Sequence, residues 1–94
     1  MKIVWDEPKR LANIAKQGFD FADIGDFDWE DAMVVESQAV EFNQRRFKAV
    51  GYCRDGTPAI IFATLGAEAI SIVSFRRASE KEKRRALPWQ RPQK

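Results

Sequence analysis

The chain has 94 residues, 45% of them hydrophobic and 32% charged, with a net charge of +2. This length supports one modest core and not two independent ones, so a single domain over residues 1–94 is expected. The single cysteine, Cys53, excludes an intrachain disulfide, and the absence of histidine removes the commonest metal ligand, so no metal and no cofactor is expected. No apolar run approaches the roughly 20 residues of a membrane span, and the N-terminus lacks a secretion-signal pattern; a soluble, cytoplasmic protein is expected. Charge is unevenly distributed. Residues 1–43 hold four Lys/Arg against ten Asp/Glu, whereas residues 76–94 hold eight against two. Basic charge therefore gathers near the C-terminus.

Lys2 to Trp5 form a short β-prone start. Asp6, Glu7 and Pro8 read as a helix opening, with acidic residues and proline in the first turn. Leu11, Ala12, Ile14 and Ala15 fit a helical face between Lys9 and Gln17, and Gly18 suits the position that closes it. Asp20 is placed to cap a second, shorter helix over Phe21 to Gly25.

Beyond Trp29 the pattern turns to β-branched and aromatic runs. Strands are expected at about Ala32 to Val40, Arg45 to Arg54, Pro58 to Leu65 and Ala69 to Phe75. Asp55-Gly56 is a hairpin signal, because both residues tolerate positive φ. The Pro58 strand is apolar on both faces and reads as central in the sheet. Ser79 with Glu82 three residues on forms a capping box that starts a last helix, and Pro88 and Pro92 mark residues 87–94 as a tail. The expected fold class is α+β: two N-terminal helices, an antiparallel sheet of three to four main strands, and a C-terminal helix.

Without an imidazole, any general acid or base must be a carboxylate, a lysine, Tyr52 or the thiol, which excludes histidine-dependent triads and dyads. Ser74 to Ser79 spans a strand end and a helix start, where Arg76 and Arg77 are candidates to converge on one phosphate. The same run also reads as a solvated strand end, and Glu80 to Arg85 as a helix that pairs its own charges. Arg46 and Lys48 alternate onto one strand face with Tyr52, while Arg45 shares the other with Phe47, which makes Phe47 a core residue. Asp6 and Glu7 are adequately explained by the helix dipole, Cys53 by packing, and Trp29 and Trp89 by packing too, with Trp89 also a possible anchor to a partner.

These residues also resemble a known family. Trp5-Asp6-Glu7 with Lys9, Asn13, Lys16 and Gly18 is similar to the "WDExKxxxNxxKHG" opening of BrnT toxins, with Phe21 in register. Arg46 with Ala49-Val50-Gly51 matches the family's "RxxxIG" strand, and Ser74-x-Arg76-Arg77-Ala78-Ser79 with Glu82 its "SxRRAxxxE" junction. Two departures are visible: Gln17 replaces the family's histidine, and Arg45 replaces a glutamate often found beside the matching arginine.

The resemblance implies a RelE-like fold and an endoribonuclease toxin of a type II toxin–antitoxin module, acting without metal to inhibit translation. It implies a BrnA-type antitoxin as protein partner, contact with DNA only through that antitoxin, and assembly as a homodimer or toxin–antitoxin heterotetramer. On this reading Arg76 and Arg77 clamp the scissile phosphate, Arg46 assists transition-state charge, and Lys16 or Lys48 acts as positioned cation or proton donor. Lys48, Tyr52 and Ser79 are expected to contact RNA. The alternative is a binding module of the same fold that pairs with an antitoxin or nucleic acid and cleaves nothing.

Overall fold

The structure is a computed structural model and describes residues 2–41, 44–54 and 56–86. Five strands form one sheet in the order β1-β5-β4-β3-β2. They are β1 (Lys2–Val4), β2 (Met33–Glu41), β3 (Gln44–Val50), β4 (Pro58–Leu65) and β5 (Ala69–Arg77). Helix α1 (Glu7–Gln17) and a 3-10 helix (Phe21–Asp26) precede β2, and α2 (Glu80–Ala86) follows β5. The α+β class is as expected, with β4 central as its apolar sequence implies.

Three details differ from expectation. First, the sheet has five strands, and β1 pairs with β5 in parallel, with Ile3 opposite Ile70. A three-residue strand carries too little periodicity to declare a partner 67 residues away in sequence. Second, the segment after Asp20 is a 3-10 helix. Phe21, Ile24 and Phe27 are all buried, and their spacing of three matches the three-residue turn that brings every third side chain to one side. Third, β3 ends at Val50. Cys53 and Gly56 exchange backbone hydrogen bonds of 2.9 and 3.1 Å, so Gly56, at φ +138°, stands at the last position of the turn instead of within its central pair. Asp55 lies outside the described residues, as do Trp89 and the expected tail.

The predicted caps are present. Asp6 accepts from the Lys9 amide, Asp20 from the Ala22 amide, and Gly18 ends α1 at φ +77°. Each satisfies a helix-end group that would otherwise lack a partner. Arg10 ties these ends together through Glu7 at 2.8 Å and Asp20 at 2.9 Å.

Strand alternation divides the sheet into two faces. Phe47, Ala49, Ile60, Phe62, Ile70, Ile72 and Phe75 form the larger core with Phe21, Ile24 and Phe27. Phe47 stacks on Phe62 with ring centroids 5.6 Å apart, and Trp29 meets Phe62 edge-on at 5.7 Å, so both aromatics are packing residues. The opposite face holds a smaller cluster of Met33, Val50, Ala59, Ala78 and Ala86 under α2. On the larger-core face, Ile3, Trp29, Val34, Phe47, Phe62 and Ile70 line an open apolar groove.

Asn13 joins α1 to the sheet. Because β1 stops pairing at Ser71, the later edge of β5 has no neighbouring strand among the described residues. The Asn13 amide accepts from Phe75 N–H at 3.2 Å and donates to Phe75 C=O at 2.8 Å, as a strand would, and donates to Phe19 C=O at 2.9 Å. Asn13 is 9% exposed, so its removal leaves buried peptide groups unpaired. Asn13→Ala is expected to destabilise the fold by about 2–3 kcal/mol, read as a fall of the thermal midpoint by about 10 °C or more.

Gly51 is fixed by close approach. A β-carbon there would stand 3.0 Å from both the Ala32 Cβ and the Phe27 ring. Gly51→Ala is expected to cost about 1–3 kcal/mol of unfolding free energy in denaturant titration, through overpacking.

Candidate functional site

The site lies on the α2 face of the sheet. Register places Lys48 beside Ile61 and Ile61 beside Ser74, while the next row runs Val50, Ala59, Arg76 and the row beyond holds Arg46 and Ala63. Paired residues point to the same side. Arg46, Lys48, Ser74 and Arg76 therefore share one face across three strands.

Glu82 organises this face. Ser79 and Glu82 form the expected capping box: the Glu82 amide donates to Ser79 Oγ at 3.1 Å and the Ser79 amide donates to Glu82 Oε1 at 2.8 Å. The same carboxylate receives a two-pronged hydrogen bond from Arg76, Nη1 to Oε1 and Nη2 to Oε2, both 2.8 Å. Lys48 Nζ approaches Oε2 at 2.8 Å. Two bonds on each oxygen fill the four acceptor positions of a carboxylate. The Glu82 side chain is only 11% exposed, and the Arg76 bond, with smaller contributions from Lys48 and the Ser79 amide, holds its pKa well below the usual carboxylate range against the opposing effect of burial. A permanently ionised, fully bonded carboxylate is a poor base and a good scaffold. It raises the pKa of the Arg76 guanidinium in turn.

Arg76 retains donors for a ligand. Two Nη1 protons serve Glu82 and the Arg77 carbonyl, and one Nη2 proton serves Glu82. Among the described residues this leaves Nε–H and one Nη2–H. Lys48 likewise spends one of its three donors on Glu82. Lys48 and Arg76 against one carboxylate leave the cluster with a surplus of one positive charge, arranged by 2.8 Å contacts. This is the electrostatic form of a polyanion site.

Sequence-predicted residues divide between this face and elsewhere. Arg46, Lys48 and Arg76 meet on it, and Ser79 stands at its margin, its hydroxyl oxygen accepting the cap bond. Arg77 is the correction: it pairs with Pro58 in the adjacent row, so it points to the opposite side from Arg76. Two neighbouring residues of a strand cannot close on one phosphate from the same face. Lys16 is exposed in the last turn of α1, the helix docked on the β5 edge through Asn13, and is not part of this face. Gln17 ends that same helix. Tyr52 lies past the end of β3, where its carbonyl accepts from Asp28 N–H at 2.8 Å, so the alternation that put it with Arg46 and Lys48 no longer operates. Arg45 belongs to the other face, held at 2.8 Å by Glu36 and 5.5 Å from the Phe47 ring. Ser74 opens the run that spans the strand end and helix start, and its two-residue spacing from Arg76 is the signal that places them together.

A small α+β protein with a preorganised cationic sheet face belongs to the class of proteins that handle RNA or a similar polyanion. Its family is settled by comparison. The sequence pattern described as "Ribonuclease toxin, BrnT, of type II toxin-antitoxin system" matches residues 5–82. The crystal structure of the Brucella abortus ribonuclease toxin BrnT is similar, at 42% identity over 85% of this chain and 99% of that chain, with a TM-score of 0.70. No curated protein matches. The chain belongs to the BrnT family of ribonuclease toxins of type II toxin–antitoxin systems.

The sign of the Glu82 effect sets a pH dependence. Its pKa is lower folded than unfolded, so its contribution is complete above the unfolded value near about 4.3 and is lost as pH falls below it. Glu82→Gln is expected to cost about 2–3 kcal/mol at neutral pH. The gap from the native chain should then narrow as pH drops below about 5, measured by denaturant unfolding at several pH values.

Proposed function

We propose that RNA is cleaved on the α2 face, with Arg76 and Lys48 binding the scissile phosphate and Arg46 stabilising charge as it develops in the transition state. The observation that carries this reading is the Glu82 carboxylate, which fixes Arg76 and Lys48 within hydrogen-bond distance of one point before substrate arrives. Preorganised donors act on a transition state without a reorganisation cost.

The reaction is attack of a ribose 2′-oxygen on the adjacent phosphorus. The bond from phosphorus to O2′ forms as the 2′-hydroxyl proton passes to solvent water, the bond to O5′ breaks, and the products end in a 2′,3′-cyclic phosphate and a 5′-hydroxyl. Lys48 is the group we assign to give a proton to the departing O5′. Because the chain has no histidine, in-line positioning and charge stabilisation carry the rate, with no metal required by the scheme. Ser74 and Ser79 flank the cations as hydrogen-bond donors to the backbone of the bound strand.

Membership of a type II system supplies the biological setting: RNA cleavage inhibits translation, and a BrnA-type antitoxin neutralises the toxin and alone contacts DNA. A toxin–antitoxin heterotetramer is the assembly we assign to the resting complex. Among the described residues no helix is long and apolar enough to cross a membrane.

Purified chain incubated with RNA, alone and with ribosomes, tests the site. Arg46→Ala and Arg76→Ala are each expected to slow cleavage about 10²–10³-fold while the far-ultraviolet spectrum stays native. A folded Arg76→Ala chain that cleaves at the native rate overturns the assignment.

A further inference from the structure

Arg77 is displaced from the α2 face, and it opens onto a second basic pocket. A cavity of about 280 Å³ at the end of the sheet is lined by Phe19, Asp23, Arg54, Arg77 and Lys83 among others. Arg54 is held at 2.8 Å by Asp26 and lies 4.0 Å from Asp23, so its charge is largely answered within the protein. Lys83 has only the exposed Glu80 carboxylate, at 3.5 Å. The exposed Arg77 guanidinium has no hydrogen bond or ion pair among the described residues, since only its carbonyl is engaged. Arg77 thus faces the cavity with its charge unanswered among the described residues, and Lys83 faces it with only that long contact to Glu80. Phe19 forms an aromatic wall, braced by Phe75 at 4.8 Å between ring centroids and 31° between planes.

We propose that this cavity is a second RNA subsite, holding the phosphate and base of a nucleotide neighbouring the one that is cleaved. The proposal rests on the α2 face being the cleavage site. Arg76 and Arg77 are consecutive at the end of β5 and point to opposite faces. A single strand that crosses the β5–α2 junction therefore meets Arg76 on one side and Arg77 on the other, with successive phosphates. Single-stranded RNA permits this course, because its unstacked bases can be splayed onto an aromatic ring. The cavity volume is at the small end for ligand pockets, which suits one nucleotide and excludes a duplex. Arg77 supplies a planar pair of donors to the phosphate, Lys83 a mobile charge, and Phe19 a stacking surface.

The test is equilibrium binding of non-cleavable 2′-O-methyl RNA oligonucleotides, two and eight nucleotides long, to the full chain over a range of salt concentrations. The Arg77→Gln/Lys83→Gln double variant should lower octamer affinity about tenfold more than dinucleotide affinity. Its octamer salt slope should shrink by about 0.7, the loss of one phosphate contact. Arg77→Lys should retain only part of the octamer affinity, because the charge is kept but the planar pair of donors is lost. Both residues are solvent-accessible, so an unchanged thermal midpoint is expected and confirms the fold. Equal weakening at both lengths, or no change at either, overturns the second subsite. Arg46→Gln run in parallel should weaken both lengths; if it does while the double variant changes nothing, the cleavage face stands and only the subsite fails. If Arg46→Gln leaves both lengths unchanged, the cleavage face falls and the subsite with it.

Discussion

A single carboxylate holds the working end of this protein together. Glu82 binds a strand on one side of β4, a strand on the other, and the first turn of the helix that carries it. Arg76 and Lys48 would repel each other at this separation, and partial burial would sharpen the repulsion, since low-dielectric surroundings screen less. Glu82 converts that repulsion into a fixed geometry. Replacing such an ion cluster with apolar side chains often leaves a fold as stable or more so, so stability alone is a weak reason to keep one. Here the cluster fixes two cations 2.8 Å from one carboxylate on a sheet face, the arrangement on which the proposed cleavage site rests.

The arrangement works only because the rest of the fold leaves β5 in register. The α2 face contributes little apolar burial, mainly Val50, Ala59, Ala78 and Ala86, whereas the aromatic core lies on the other side. Asn13 completes the β5 edge where β1 ends, and it does so at Phe75, the residue next to Arg76. A core amide thereby anchors the strand one residue from the guanidinium proposed to meet substrate. Precise placement of Arg76 depends on that anchor as well as on Glu82, because supporting contacts determine how tightly a site holds its geometry.

Local chemistry was legible in the sequence, and long-range pairing was not. Asp6, Asp20, Gly18 and the Ser79–Glu82 box declare themselves because cap and partner lie within a few residues. The double role of Glu82 was hidden for the same reason: its partners Lys48 and Arg76 arrive from other strands, and a capping box accounts for the residue without them. The pairing of β1 with β5 and the part played by Asn13 depend on residues more than 60 positions apart. Arg77 shows a different failure. The basic run was read as a patch, although strand alternation carried through Ser74, Arg76 and Arg77 would have separated the last residue from the other two.

The absence of histidine acquires a structural meaning from these positions. The family's histidine falls at Gln17, at the end of α1, and that helix docks on the β5 edge instead of contributing to the α2 face. Its replacement therefore leaves the Glu82 cluster intact. Beside the lysine assigned as proton donor, what remains on that face are groups whose charge does not depend on titration near neutrality: arginines that stay protonated, and a carboxylate held ionised by the arginine it binds. Such a site gives up proton transfer through an imidazole and relies on fixed charge and alignment. On the proposed assignment its sensitivity is geometric, and the residues that hold Arg76 in place should matter to the chemistry as much as the arginine itself.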